Sequence, residues 1–499
     1  MTEPLPPGEF RDLVSRALEG TVDADTRLPR PQTLYMPDAH RAALYVDSTV
    51  VQGERGVGKT FWARSLLDKH LRAAAASEYR INRLNRLEVS AGYGTDLVSD
   101  YPGPLALPSL LAGGALPAEI WQAILLTALG QAELRKTEDW NERVLWVRTN
   151  AQSAEATIRR ADSEAAAKNI VRLLVFDGLE HLHTDWDTRN RLIAELLRLA
   201  LQMRFGTHNI RLKVFMRPDM LDAAKQLFPD ASKLSGNAAH LEWTRTDLYG
   251  LLFHHLANED DEAAERFRHF TGGWNGSETA AQVRYMAPPS LRNEEQTQRP
   301  LFERIAGEFM GTNVRQGRPY AWLPNHLMDS NSRISPRTFL KALSVAAETT
   351  QATHPSHGRA LHYDALRDGV REASKVRVDQ IVEDTPWVEL AIAPLKGCQV
   401  PISMREIIRI WKDQDLPQLL REEMSRYAQA NSPKLVRTGP RDPDHLEHLV
   451  QDLKALGVLR HRPRTKTEKL DLYSLLDLPD IYRLAFGLGR LGGIPLTKK

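Results

Sequence analysis

Cysteine is almost absent from this chain. Cys398 is the single one in 499 residues, which excludes an internal disulfide and any zinc site built on several thiolates, and fits a reducing compartment. Net charge is missing too: Lys and Arg number 66 against 64 Asp and Glu, so any basic patch must be local. Nor is there a long apolar run. The best stretch, Leu110 to Gly130, is interrupted by Pro117, Glu119 and Gln122, which rules it out as a membrane span. The opening MTEPLPPGEF has neither a basic region nor an apolar core, so no signal peptide and a cytoplasmic protein are expected. With 42% apolar and 26% charged residues, the composition is that of a soluble globular protein, and the length suggests three or four domains.

What is present begins with VVQGERGVGKT, Val50 to Thr60. Gly53, Gly58, Lys59 and Thr60 occupy the fixed places of the phosphate-binding pattern G-x-x-x-x-G-K-[ST]. Backbone N–H groups of Gly53, Glu54, Arg55, Gly56, Val57 and Gly58 would surround phosphates, and glycines let the backbone come close. Lys59 would place its charge on the β- and γ-phosphates and face solvent without them. Thr60 would take one Mg²⁺ position. A strand from Ser48 to Gln52 should precede this loop, with a helix after it. The chain would thus bind ATP and Mg²⁺.

A second element is RLLVFDGLEHL, Arg172 to Leu182. Leu173 to Phe176 suit a central parallel strand buried on both faces, and such strands end where the nucleotide sits. Asp177 is therefore the candidate Mg²⁺ ligand, and Glu180 the group that orients water. A strand over Ile210 to Met216 should place Arg217 near the γ-phosphate, unless Arg217 is a surface arginine before a turn. Between these elements, 87–91 is a strand candidate, 92–114 a loop or insertion, 117–129 an amphipathic helix and 131–168 mainly helical. The helix after Asp177 should carry Leu192, Leu196, Leu199 and Met203 on one face and stop at Gly206.

The segments GERGVGKT, LLVFDGLE and KVFMRPD resemble the STAND and AAA+ branches of the P-loop ATPases over roughly residues 40–350. The resemblance implies ATP hydrolysis and a γ-phosphate sensor at the fourth strand. STAND proteins carry D-G-x-D-E; here Glu180 takes the first acidic place and His181 the second, which implies slow or partner-dependent turnover. More loosely, the whole chain resembles ATP-binding proteins of bacterial antiphage, methylation-associated defence systems. That would imply protein partners of the same system and possible oligomerisation, with Arg198 and Arg204 only positional candidates for an arginine finger. A replication-initiator-like or regulatory DNA-binding ATPase is the alternative, and a non-hydrolysing nucleotide-gated scaffold is another.

The expected architecture is an α/β P-loop NTPase core with a parallel sheet and helices on both faces, a helical lid and a C-terminal winged helix. Residues 1–45 would be an arm packed on the first folded domain, 46–235 the core, 236–350 the lid, 351–380 a linker and 381–499 the winged helix. Within the lid, 272–299 is polar enough to expect disorder. Ser335 and Pro336 open a helix that places Arg337 on its first turn; the AAA+ resemblance makes Arg337 a second sensor, and a solvated arginine is the alternative. In the last domain Ser403 and Glu406 form a capping box, and Asp442–Pro443 open a helix ended by Gly457, with Glu447 and Asp452 outward. Strands at 458–462 and 469–473 then make a hairpin carrying Arg460, Arg462, Arg464, Lys466 and Lys469. These are candidate DNA contacts, or else a solvated wing used as a lever. GLGRLG, 487–492, lacks room for a dinucleotide fold, and His181 with His183 lacks a third metal ligand.

Overall fold

The computed structural model describes residues 4–20, 28–183, 185–228, 230–279, 282–429, 440, 442–463 and 470–496. Contacts divide it into two compact units, one of residues 25–242 with 279–281, the other of 1–24, 243–278 and 282–499.

The first unit is built on β1 (Val50–Gln52), β2 (Leu87–Tyr93), β3 (Val171–Phe176), β4 (Ile210–Met216) and β5 (Ala239–His240), in the order β2-β3-β4-β1-β5. All pairings are parallel, with Phe176 opposite Val214 and Gln52 opposite Met216. Parallel strands require crossovers and cover on both faces, and the helices between the strands supply both. Helix Trp186–Gly206 buries Leu192, Leu196, Leu199 and Met203 as its spacing predicts. The Trp121 indole, on helix Pro117–Ala128, donates to Leu192 O at 2.8 Å and meets the Phe176 ring edge-on at 5.8 Å.

β1 starts two residues later than the sequence suggests, because the Ser48 carbonyl turns to a side chain. Lys213, fully buried on β4, donates to Ala43 O, Tyr45 O and Ser48 O at 2.7, 3.0 and 2.7 Å. Burial pushes its ammonium down to about 7, with Asp47 opposing. Three acceptors nevertheless call for three N–H donors, which only the charged form has. Segment 28–45 is also tied to this unit: Trp62 Nε1 donates to His40 Nδ1 at 3.0 Å, and His40 Nε2 then donates to Glu242 O at 3.1 Å. Burial pushes His40 down to about 4, so the ring is neutral and has this single tautomer.

The expectation for the rest of the N-terminal arm fails. Helix Pro7–Leu18 belongs to the other unit, where it packs on helix Pro336–Thr353. Its buried Phe10, Leu13 and Val14 explain this, with Phe10 edge-on to Phe267 at 5.8 Å. Arg11, 1% exposed, donates to Ala360 O at 2.9 Å and Gln351 Oε1 at 2.7 Å.

Helices Arg245–Ala257, Glu295–Ala306, Pro319–Leu327 and Pro336–Thr353 make the lid around Tyr249. Its ring stacks on Tyr320 at 4.1 Å and takes Phe302 and Phe339 edge-on at 4.7 and 5.2 Å. Among its described residues the 272–299 segment is not the disordered insertion its polarity suggests. It holds a two-stranded sheet of β6 (Asn275–Thr279) and β7 (Gln282–Met286), followed by helix Pro289–Asn293. One buried amide substitutes for a core there: the Asn258 side chain donates to Tyr285 O at 2.9 Å and accepts from Tyr285 N at 2.8 Å. Residues 351–380 hold most of the 22-residue helix Tyr363–Asp384 rather than an open linker. Gly369 lets it approach helix Pro336–Thr353, since a Cβ there would lie 2.1 Å from Ala342 O.

The C-terminal module has winged-helix topology. Helix Trp387–Ile392 leads to β8 (Gln399–Val400) and β9 (Ile402–Ser403), then to helices Met404–Asp413, Leu416–Gln429 and Leu446–Ala455. β10 (Arg460–Arg462) and β11 (Leu475–Asp477) follow, giving an antiparallel sheet in the order β10-β11-β9. Only half of the expected capping box forms: Ser403 Oγ accepts from Glu406 N at 3.2 Å, while the Glu406 carboxylate grips Arg409. Asp452 is buried rather than outward. The second wing strand lies at 475–477; of the expected 469–473, Lys469 lies outside the described residues, and the rest is bent into a turn by Asp471, whose Oδ1 accepts from Tyr473 N at 2.9 Å. GLGRLG holds a helix-ending Gly487 at φ 76° and β12 (Gly489–Arg490), which pairs with β8. The fold is therefore an α/β P-loop NTPase core accompanied by a helical lid and a winged helix.

Candidate nucleotide site

The strand order gathers the predicted residues at the carboxyl edge of the sheet. The loop from Gly53 leaves β1, Asp177 leaves β3, and Arg217 leaves β4, which lies between them. Gly53 N donates to Met216 O at 3.2 Å, so the loop departs in register with β4. Glycine is required at three places. A Cβ on Gly53 would fall 2.5 Å from Val57 Cγ2, and Gly56 and Gly58 have φ of 79° and 104°. Helix Lys59–Leu67 begins directly on the left-handed Gly58, so its first amides open onto the loop.

Lys59 does not face solvent as the sequence suggests. It is 8% exposed, and its Nζ donates to Gly53 O and Glu54 O, both at 2.9 Å. Burial lowers its pKa and Arg217 adds to the effect, while Glu180, Asp177 and Glu54 oppose it. Asp177, also 8% exposed, is hydrogen-bonded by the Thr60 side chain and the Gly178 amide. Its carboxyl is pushed up to about 6, first by burial and then by Glu180, against Thr60, Lys59 and Gly178. Lys59, Thr60, Asp177, Glu180 and Arg217 thus form one electrostatic cluster.

Arg217 is 13% exposed and makes a two-pronged pair with Asp219, at 3.0 and 2.8 Å. Arg217 and, beyond it, Arg189 hold the half-exposed Asp219 carboxyl below the usual range. Arg217 is therefore anchored at the strand end rather than loose on the surface. Arg337 belongs to the other unit, where it follows Pro336 at the start of its helix. Arg198 pairs with Glu195 and lies over the Phe228 ring at 5.0 Å, and Arg204 lines a cavity of about 350 Å³ with Tyr45, Ser48 and Arg83. Ser48 precedes β1, so Arg204 is at the end of the sheet away from the phosphate loop. Asp185 N donates to His183 Nδ1 at 2.9 Å.

Two neighbours escape the sequence reading because they fall at the start of a segment read only as a loop or insertion. Tyr93 O accepts from Asp177 N at 3.1 Å, which fixes the turn after β3. A Cβ on Gly178 would sit 3.1 Å from Thr95 Cγ2, so the chain after β2 packs on that same turn. The available signal is positional: Tyr93 ends and Thr95 follows a strand of the same parallel sheet, at its carboxyl end.

The residues present fit Mg²⁺ and a nucleoside triphosphate. A buried carboxylate with a raised pKa, a hydroxyl beside it and a lysine folded on the loop's own carbonyls are groups that gain from a divalent cation and phosphate oxygens. No family model matches the chain, and no curated protein matches it. Among solved structures it is similar to the ORC1 protein of Aeropyrum pernix in complex with DNA, at 15% identity over 93% of this chain and 94% of that one, with a TM-score of 0.37. It is also similar to the Aeropyrum pernix ORC2 protein in its ADPNP–ADP complexes, at 16% identity over 87% and 84% of the two chains, again with a TM-score of 0.37. The assignment of the core rests on its own strand order and site geometry. Among the described residues, no helix is long and apolar enough to cross a membrane.

Asp177 yields a pH-dependent prediction. A carboxyl raised from 3.8 to about 6 imposes no penalty below pH 4, and the penalty builds between pH 4 and 6 and is complete above that. At pH 7 it amounts to about 3 kcal/mol. Asp177→Asn should therefore stabilise the nucleotide-free protein at pH 7 by up to about 3 kcal/mol and do little at pH 4. Urea unfolding at the two pH values measures this.

Proposed function

We propose that the protein is a Mg²⁺-dependent ATPase switch of the AAA+ type whose winged helix works on DNA, in the manner of a replication-initiator-like or regulatory ATPase. The convergence of Lys59, Thr60, Asp177, Glu180 and Arg217 on the end of three adjacent strands carries this reading. Thr60 and Asp177 would hold Mg²⁺, which when bound neutralises charge between the β- and γ-phosphates. Lys59 would release the Gly53 and Glu54 carbonyls to reach the phosphate oxygens. Glu180 would orient the attacking water. Arg217, held by Asp219, would report the γ-phosphate from the strand end. His181 in the place of a second acid supports slow turnover. The antiphage expectation finds no support in the solved structures to which the chain is similar.

Isothermal titration and turnover assays test the site. Lys59→Ala should lose ATP·Mg²⁺ affinity, whereas Glu180→Gln should bind normally and hydrolyse about 10²–10⁴-fold more slowly. Unchanged affinity in the first variant rules out the site, and a wild type inert with DNA present turns the enzyme into a scaffold.

The DNA part of the proposal rests on module topology and wing charge. Arg460 and Arg462 are both tied to the fully buried Asp477, at 3.1 and 2.7 Å, and Arg490 completes that group at 2.5 Å. Their first task is structural, although three guanidiniums on one carboxylate leave positive charge over. Arg464, Lys466 and Lys469 lie outside the described residues. They fall on the connection between β10 and β11, so replacing these three with Ala should flatten the log–log salt slope of duplex binding by up to about 2.7 units. Arg460→Ala with Arg462→Ala should instead destabilise the module. Fluorescence anisotropy across a salt series checks the first outcome, and no affinity at low salt removes DNA from the proposal.

A further inference from the structure

At the start of helix Leu446–Ala455 three side chains outside the nucleotide site converge. His445 Nδ1 lies 2.6 Å from Asp442 Oδ2, and His448 Nδ1 lies 3.3 Å from that same oxygen. All three donor atoms lie within 4.8 Å of one another. The two imidazoles stand 5.3 Å apart at 32°, so they present edges to a common point rather than stacking over it. The other carboxylate oxygen, Oδ1, accepts from Asp444 N at 3.2 Å, which orients Oδ2 toward the rings. Asp444 is itself engaged by Arg421 at 2.5 Å and is not a competing ligand.

We propose that Asp442, His445 and His448 form a binding site for a divalent transition-metal ion, with Zn²⁺ the natural occupant. Two imidazole nitrogens and one carboxylate oxygen match its preferred ligands. At Zn–ligand distances of about 2.0–2.1 Å, tetrahedral ligands lie about 3.3 Å apart. The His448 spacing already has that value, and the shorter His445 contact opens by a side-chain rotation that its 70% exposure permits. The ion takes the bridging place between the carboxylate oxygen and the two Nδ1 atoms, each neutral imidazole binding it as the tautomer with its proton on Nε2. The fourth position faces solvent and takes water. Binding staples Asp442, which precedes helix Leu446–Ala455, to that helix's first turn.

A second gathering, His354, His362 and Asp364, is the internal control. His354 and His362 stack face to face at 3.8 Å, and His362 Nδ1 is occupied in accepting from Asp364 N at 3.1 Å. Stacked rings turn their faces, not their lone pairs, toward one another.

The test is titration of the metal-free full-length protein with ZnCl₂ by calorimetry, and with Co²⁺ by visible absorption, at pH 7.5 and 5.5. The expected result is one equivalent bound at pH 7.5 with Co²⁺ d–d bands, at least tenfold weaker at pH 5.5, because protons compete with a metal ion for its ligand atoms. His445→Ala with His448→Ala should remove it, Asp442→Asn should weaken it at least tenfold, and His354→Gln with His362→Gln should leave it intact. Binding that survives the first double substitution, binding lost only in the second, or no stoichiometric binding by the wild type each overturns the proposal.

Discussion

Asp177 is a carboxylate taken almost entirely out of water, and the carboxyl edge of the sheet is arranged around the cost of keeping it there. Placing β4 between β1 and β3 brings Lys59 and Thr60 to one side of it and anchors Arg217 nearby. The Tyr93 carbonyl and Thr95 fix the turn from which it projects. These groups do not fully offset the burial, since the carboxyl stays raised to about 6. That residual cost is what a divalent cation would relieve, and the site would then trade stability for binding.

The same economy of charge recurs away from the site. Lys213 serves three carbonyls that lead the chain into β1, Arg11 fixes the N-terminal helix to the residues after helix Pro336–Thr353, and Asp477 gathers Arg460, Arg462 and Arg490 at the base of the wing. Buried charges of this kind specify one arrangement because removing one partner leaves the other unsatisfied. In the wing the consequence is direct. Two of the five basic residues that look free for DNA are also the ones that hold β10 to β11.

Much of this was legible because the decisive elements have strong local signals. The phosphate loop requires glycines at fixed spacing, β3 is a continuous apolar run ending in an acid, and helix Trp186–Gly206 shows its face by period alone. The parts that were not legible depend on partners far away in sequence. Nothing around Phe10 indicates that its helix joins residues beyond 243, and nothing in the polar run 272–299 announces that Asn258 will hold β7. Lys59 reads as solvent-facing because a pattern gives its role with phosphate, not where its amine rests otherwise. Asp442 reads in sequence only as the opening of a helix, since two exposed histidines on a helix acquire meaning only when a preceding carboxylate turns back to meet them.

The central claim is that residues 53–60 and 177–180 form one nucleotide-binding surface. Amide hydrogen exchange with and without a slowly hydrolysed ATP analogue and Mg²⁺ tests it most directly. Slowed exchange in both segments together, lost from the 177–180 segment when Mg²⁺ is withheld, is the predicted result; unchanged exchange in both at saturating analogue would contradict it.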